Sequence, residues 1–328
     1  MSYERLGVIG AGAWGTALAQ VAAAEGEVLL WALEPEVVDA IGMRHENPVY
    51  LPGVPLSPAI RATGALDDLA DCDALLLVTP AQHLGAVLGR ISRRDAPLIL
   101  CAKGIEAGSG RLMSEVASAV CPDAPVAVLS GPTFAHEVAA GLPTAVTLAC
   151  GDEAVAAALA ARLARPAFRP YLSTDVIGAE IGGAVKNVLA IACGVVEGRG
   201  LGQNARAALI SRGFAEMTRF GLARGARAET LAGLSGLGDL VLTCSSTSSR
   251  NFSLGKGLGE GKSATALLAD RRTVAEGAFT APVLAQAAAR AGVDMPIVGA
   301  VCALLAGQAG VDEVAEALMA RPLRNEGI

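Results

Sequence analysis

The first half of the chain alternates short apolar runs with longer segments whose apolar residues recur at helical spacing. Runs at Leu6–Ile9, Val28–Trp31, 74–78, 98–101, 126–129 and 145–148 predict strands, and segments such as 15–24 and 111–120 predict the helices between them. Alternation of this kind predicts a parallel, doubly wound sheet. A further strand at 169–172 is expected to close the domain. After Ser173 the strand signals stop, and Ala-rich helical segments follow at 177–196, 205–224, 283–291 and 297–306. The pattern divides the chain into an α/β domain over 1–174 and an all-α C-terminal domain over 175–328. Residues 173–175 are placed to cap the first helix of the second domain.

The longest apolar stretch, 181–196, carries Lys186 and Asn187 and falls short of the roughly 20 residues that a membrane-spanning helix needs. It is expected to be a buried helix, so no membrane span is expected. The 328 residues are 52% hydrophobic and 18% charged, a globular composition. The net charge of −6 and the pI of about 5.2 argue against nucleic acid as a main partner. None of the seven cysteines forms a CxxC pair and several lie in apolar runs, which suits a reduced, cytoplasmic protein. The three histidines are far apart and show no metal-ligand spacing, so no metal is expected. A cleavable leader is not expected either, because the first apolar run leads directly into a glycine motif that cleavage there would destroy.

That motif, Gly10-Ala11-Gly12-Ala13-Trp14-Gly15, fits G-x-G-x-x-G between a strand and a helix. In this setting Gly10 makes the tight turn, Gly12 admits a pyrophosphate and Gly15 lets strand and helix pack closely. The helix N-terminus then faces the phosphate charge. Glu34 ends the next strand, where an acid can accept a ribose 2′-hydroxyl. The first domain therefore reads as a Rossmann-type dinucleotide site. The plainer alternative is an ordinary glycine turn.

Lys186 and Asn187 are the only strongly polar side chains between Glu180 and Glu197. An ammonium in so apolar a helix is buried or faces a cleft, where desolvation lowers its pKa and suits it to proton transfer. Gly182 and Ala190, one turn away on either side, are small enough to leave room for a ligand. A structural lysine, snorkelling to solvent or paired with a carboxylate, is the alternative. Gly236-Leu237-Gly238-Asp239 precedes a run of hydroxyls ending Ser249-Arg250-Asn251, just before a predicted helix. These groups suit an anionic oxygen ligand, although a solvated loop with a helix cap fits as well. Lys103 and Ser130-Gly131-Pro132-Thr133 follow predicted strands, and ligands gather at such carboxyl ends. Lys103 reads equally as a surface lysine.

Together these blocks resemble the bacterial NAD(P)-dependent glycerol-3-phosphate dehydrogenases almost end to end. The matching stretches include GAGAWGTALA at 10–19, NPVYLPGVPL at 47–56, AKGIE at 102–106 and SGPTFAHEVAAGLPTAV at 130–146. They continue with GGAVKNVLAIACGVVEG at 182–198, NARAALISRGFAEM at 204–217, GLSGLGDLVLTC at 233–244, SSRN at 248–251 and VAEG at 274–277. The resemblance implies reversible reduction of dihydroxyacetone phosphate to sn-glycerol 3-phosphate, a precursor of glycerophospholipids, in a cytoplasmic homodimer. It implies that Lys186 is the acid/base. It also implies that Lys103, Gly131, Thr133, Asp239, Ser249, Arg250 and Asn251 contact the substrate. Ala13, Trp14, Lys103, Ala135, Arg250, Val274 and Glu276 would line the cofactor. Asp239 is expected to hold the ammonium or a substrate hydroxyl, alongside Lys186 in the catalytic pair.

Two other readings remain at this stage. A β-hydroxyacid dehydrogenase has similar architecture and a catalytic lysine, but its motif resembles G-x-G-x-x-x-K-x-x-N, whereas here Asn187 follows Lys186 directly. A catalytically silent dinucleotide sensor would have no use for Lys186, Asp239 and Arg250 together. On coenzyme choice, Ala32-Leu33-Glu34 places no cation after the second strand, so NADH is expected to serve at least as well as NADPH.

Overall fold

The computed structural model describes residues 3–92, 94–269 and 275–322. The chain forms two compact units, one of Met1–Ala102 with Arg111–Ala179 and one of Lys103–Gly110 with Glu180–Ile328.

The first unit is built on eight strands: β1 (Leu6–Ile9), β2 (Val28–Trp31), β3 (Ile60–Thr63), β4 (Ala74–Leu77), β5 (Leu98–Leu100), β6 (Val126–Ser130), β7 (Thr144–Cys150) and β8 (Phe168–Ser173). Their order in the sheet is β3-β2-β1-β4-β5-β6-β7-β8. Every residue of β1, β2 and β4 is buried, because helices cover both faces. That is why these strands read as continuous apolar runs and not as alternating ones. The chain leaves β1 for β2 on one side, and β4 lies on the other. This reversal is the switch point at which open α/β sheets bind ligands, and the glycine motif follows directly from β1 there.

Two features depart from the sequence expectation. β3 was not expected: at the sheet edge Ile60-Arg61-Ala62-Thr63 needs no apolar run, and Arg61 is exposed. The sheet is also not wholly parallel, since β7 pairs antiparallel with β6. The link between them holds only the five-residue helix Ala135–Ala139, about 8 Å long, too short to carry the chain back for a parallel β7 of seven residues.

The second unit has no strand among its described residues. The longest helix, Val176–Gly198, has its first four residues in the first unit and the rest in the second; it starts from Asp175, whose Oδ1 accepts from the Gly178 amide at 2.8 Å. The helix is long and apolar enough to cross a membrane, yet 89% of its most apolar window is buried inside the protein. It packs against the helix Arg250–Gly259 at backbone contact. A Cβ on Gly194 would lie 2.0 Å from the Phe252 carbonyl oxygen, and one on Gly255 would lie 1.9 Å from that of Ile191. The unit's other longer helices are Gly202–Ala223, Glu276–Arg290, Pro296–Leu305 and Val311–Met319. Glu276–Arg290 begins well before the predicted start at 283, and it continues through Pro282.

Candidate active site

In the first unit the three motif glycines face different surroundings. Gly10 sits at φ 115°, a left-handed conformation, and a Cβ there would meet the Val78 carbonyl oxygen at 2.9 Å. On Gly15 a Cβ would lie 1.8 Å from the Gly10 carbonyl oxygen. Gly12 has nothing within 4 Å of its Cβ position, so the space above it is open to a ligand. The helix Ala13–Ala22 starts at Gly12 without a side-chain cap, which leaves first-turn amides for an anion. Besides Arg5 Nε, three buried polar atoms of this unit, Trp14 Nε1, Thr79 Oγ1 after β4 and Ser130 Oγ at the end of β6, have no hydrogen-bond partner in the protein. An open space over the turn, free amides and orphaned donors at strand ends together fit a dinucleotide.

Glu34 follows β2, is half-buried, and opens the helix Pro35–Arg44. Its Oε1 accepts from Tyr50 Oη at 2.8 Å. A Cβ on Gly131 would lie 2.9 Å from Val146 Cα, and Thr133 Oγ1 donates to the Gly131 carbonyl at 3.3 Å. Ala135 begins a helix that packs against the one starting at Ala13.

The second unit gathers the charges. Lys186 is 6% exposed and Asp239 is completely buried. Lys186 Nζ donates to Asp239 Oδ1 at 2.5 Å and to Thr243 Oγ1 at 3.0 Å, while Lys103 Nζ donates to Asp239 Oδ2 at 2.7 Å. One carboxylate thus lies between two ammonium groups. Burial pulls the Lys186 pKa down to about 8 from an ordinary 10.5; Asp239 opposes this and Lys103 adds to it. Glu276 is half-buried, and burial raises its carboxyl against the pull of Arg250, Lys103 and Lys186. Three cations and two carboxylates leave the cluster with surplus positive charge, as an anionic substrate requires.

Asp239 and Thr243 stand one turn apart on the short helix Asp239–Thr243, which follows a π turn at Leu234–Gly238. That i, i+4 spacing turns both toward the lysine. Thr243 was not singled out from the sequence, although its distance from Asp239 was a usable signal. The small size of Gly182 serves packing and not ligand space. A Cβ there would meet the Ser235 carbonyl oxygen at 2.2 Å.

Ser249 Oγ caps the helix Arg250–Gly259 by accepting from the Phe252 amide at 3.2 Å. Asn251 Oδ1 accepts from the Gly277 amide at 2.9 Å, which ties this helix start to that of Glu276–Arg290. Arg250 itself is exposed. Val274 lies outside the described residues.

Residues 5–156 match the family model for the NAD-dependent glycerol-3-phosphate dehydrogenase N-terminus, and residues 175–316 match that for its C-terminus. The chain is 64% identical to a protein of Sphingopyxis alaskensis over 99% of both chains, and 67% identical to one of Novosphingobium aromaticivorans over 99% of both. Both relatives are named glycerol-3-phosphate dehydrogenase (NAD(P)+). Among solved structures, glycerol-3-phosphate dehydrogenase from Coxiella burnetii superposes with a TM-score of 0.93 at 38% identity, covering 97% of this chain and 99% of that one. The chain therefore belongs to the NAD-dependent glycerol-3-phosphate dehydrogenase family.

Proposed function

We propose that this protein interconverts dihydroxyacetone phosphate and sn-glycerol 3-phosphate, with Lys186 as the group that gives and takes the proton. The observation that carries this reading is the buried Lys186–Asp239–Lys103 cluster in a chain of this family. When bound, NAD(P)H supplies the hydride to the carbonyl carbon. As the carbonyl oxygen gains negative charge, Lys186 stabilises it and then donates its proton; in the reverse direction the neutral amine accepts the proton from the alcohol. Asp239 and Thr243 hold the Nζ in place. Burial, with Lys103 adding to it, keeps the Lys186 pKa low enough for exchange near neutrality.

Lys103, Arg250 and Asn251, with Gly131, Thr133 and Ser249, are assigned to the substrate, its phosphate at the start of the helix Arg250–Gly259. Binding the unreactive phosphate orients the carbonyl. On the cofactor side the assigned residues are Gly10, Gly12, Ala13, Trp14, Gly15, Glu34, Lys103, Ala135, Arg250, Val274 and Glu276. Glu34, with no cation in Ala32-Leu33-Glu34 to meet a 2′-phosphate, supports use of NADH at least as well as NADPH. We place the enzyme in the cytoplasm as a homodimer supplying glycerophospholipid synthesis.

Loss of reduced-coenzyme absorbance with dihydroxyacetone phosphate and either NADH or NADPH, set against its gain with a panel of hydroxyacids and NAD+ or NADP+, tests this function. Turnover of the hydroxyacids alone, or coenzyme binding without any turnover, would refute it.

A further inference from the structure

Glu34 is held by a neighbour that no assignment above uses. Tyr50 Oη donates to Glu34 Oε1 at 2.8 Å, and the ring packs against the core of the first unit. Tyr50 stands on a turn that is itself fixed to the glycine motif. Asn47, with no exposed surface, donates from Nδ2 to the Ala11 carbonyl at 2.8 Å and to Thr16 Oγ1 at 2.9 Å. Its Oδ1 accepts from the Tyr50 amide at 3.1 Å, and its carbonyl accepts from the Leu51 amide at 2.9 Å. One short turn thus joins the phosphate end of the dinucleotide site to the carboxylate at its ribose end.

We infer that Tyr50 is a positioning residue for coenzyme selection: it pins the Glu34 carboxylate where a ribose 2′-hydroxyl is accepted and a 2′-phosphate is repelled. This rests on the reading of Glu34 given above. An untethered glutamate has three rotatable bonds and turns to solvent when a phosphate approaches, so it discriminates weakly. A glutamate held by a phenol on a braced turn must break that hydrogen bond before it can turn away. Burial and the Glu34 charge both raise the Tyr50 phenol above its ordinary pKa, so it remains a proton donor at every working pH.

The test is calorimetric binding of NADH and NADPH, without substrate, to the wild type, Tyr50→Phe, Glu34→Ala and the double variant. Tyr50→Phe keeps the ring and its packing. It should lower the ratio Kd(NADPH)/Kd(NADH) by about three- to tenfold, the net worth of a typical hydrogen bond at a half-buried site. In the Glu34→Ala background the same change should leave the ratio unmoved. If Glu34→Ala shifts the ratio and Tyr50→Phe does not, the positioning role is overturned and the reading of Glu34 stands. If Glu34→Ala leaves the ratio unchanged, the reading of Glu34 fails and the inference with it. An equal Tyr50→Phe shift with and without Glu34 would also overturn the inference, because the phenol would then be acting on the coenzyme by itself.

Discussion

Lys186 Nζ lies 2.5 Å from Asp239 Oδ1, yet this contact with a buried carboxylate does not restore an ordinary lysine pKa. Desolvation outweighs the attraction, and the second ammonium on Asp239 works in the same direction as desolvation. The result is a lysine that changes charge near pH 8, where a proton can pass either way at little cost.

Reduction needs the ammonium and oxidation needs the amine. The kcat/KM for dihydroxyacetone phosphate should therefore fall as pH rises through about 8, and that for sn-glycerol 3-phosphate should rise over the same range. Lys103→Met removes the neighbouring like charge and should move both limbs to higher pH. Profiles that are flat across this range, or unmoved in Lys103→Met, would contradict the assignment.

Lys186→Ala should lower kcat by about 10²–10⁴-fold, the usual worth of a positioned acid, with coenzyme affinity nearly unchanged. Stopped-flow turnover and coenzyme titration on the same preparation separate the two effects. Near-normal kcat would remove Lys186 from the chemistry.

The isolation of Lys186 in an apolar helix was legible in the sequence, because a lone cation there conflicts with its surroundings. That Asp239 is its partner came from the family resemblance and not from spacing, since the two lie 53 residues apart and only the fold joins them. The six runs of apolar residues became strands, and those of β1, β2 and β4 are continuous because these parallel strands are buried on both faces. β3 left none, because an edge strand buries only part of its surface. Gly182 shows the limit of reading size alone: a small residue beside Lys186 suggested ligand space, and the backbone of Ser235 fills it. Tyr50 and Asn47 gave no sign of their role, because what they hold are main-chain and carboxylate oxygens far away in sequence.

Arg250 is the exposed cation at the start of its helix, next to the cap Ser249 and the strut Asn251. Arg250→Ala should raise KM for dihydroxyacetone phosphate by at least tenfold, as expected for loss of about 1.5–3 kcal/mol in a charge-assisted hydrogen bond. Some loss of coenzyme affinity is also expected. Unphosphorylated dihydroxyacetone should be a poor substrate of the wild type and should be little affected by the substitution. Equal use of the two ketones would rule out the phosphate anchor.

Glu216 is 2% exposed and accepts from the amides of Ile297 at 2.8 Å and Val298 at 3.3 Å, at the start of the helix Pro296–Leu305. Burial outweighs these bonds and raises its pKa to about 7 from 4.5. The folded state therefore holds a proton that the unfolded state releases between those values. The group's contribution to stability is fully present below about pH 4.5 and is lost as pH rises to about 7, an effect of about 3 kcal/mol. Glu216→Gln removes the titration. Urea unfolding at several pH values should show the wild type losing stability relative to Glu216→Gln across this window, and a constant difference would refute the shift.

The same substitution, Gly→Ala, should act with opposite sign at two helical positions. At Gly194 the new methyl would lie 2.0 Å from the Phe252 carbonyl oxygen, and rigid backbone on the facing helix cannot give way. Overpacking of this kind costs about 1–3 kcal/mol or more, which exceeds the roughly 1 kcal/mol that alanine gains over glycine in a helix. The facing helix begins at Arg250, so pushing it away should also raise KM for the phosphorylated substrate. Gly42 lies within the helix Pro35–Arg44, exposed, with nothing within 4 Å of its Cβ position. Only the propensity gain acts there, so Gly42→Ala should stabilise by about 0.5–1 kcal/mol and leave KM alone. Denaturant unfolding and steady-state kinetics on both variants check the pair. If Gly194→Ala were as harmless as Gly42→Ala, the two helices would not meet at backbone contact, and the placement of Arg250 would need another explanation.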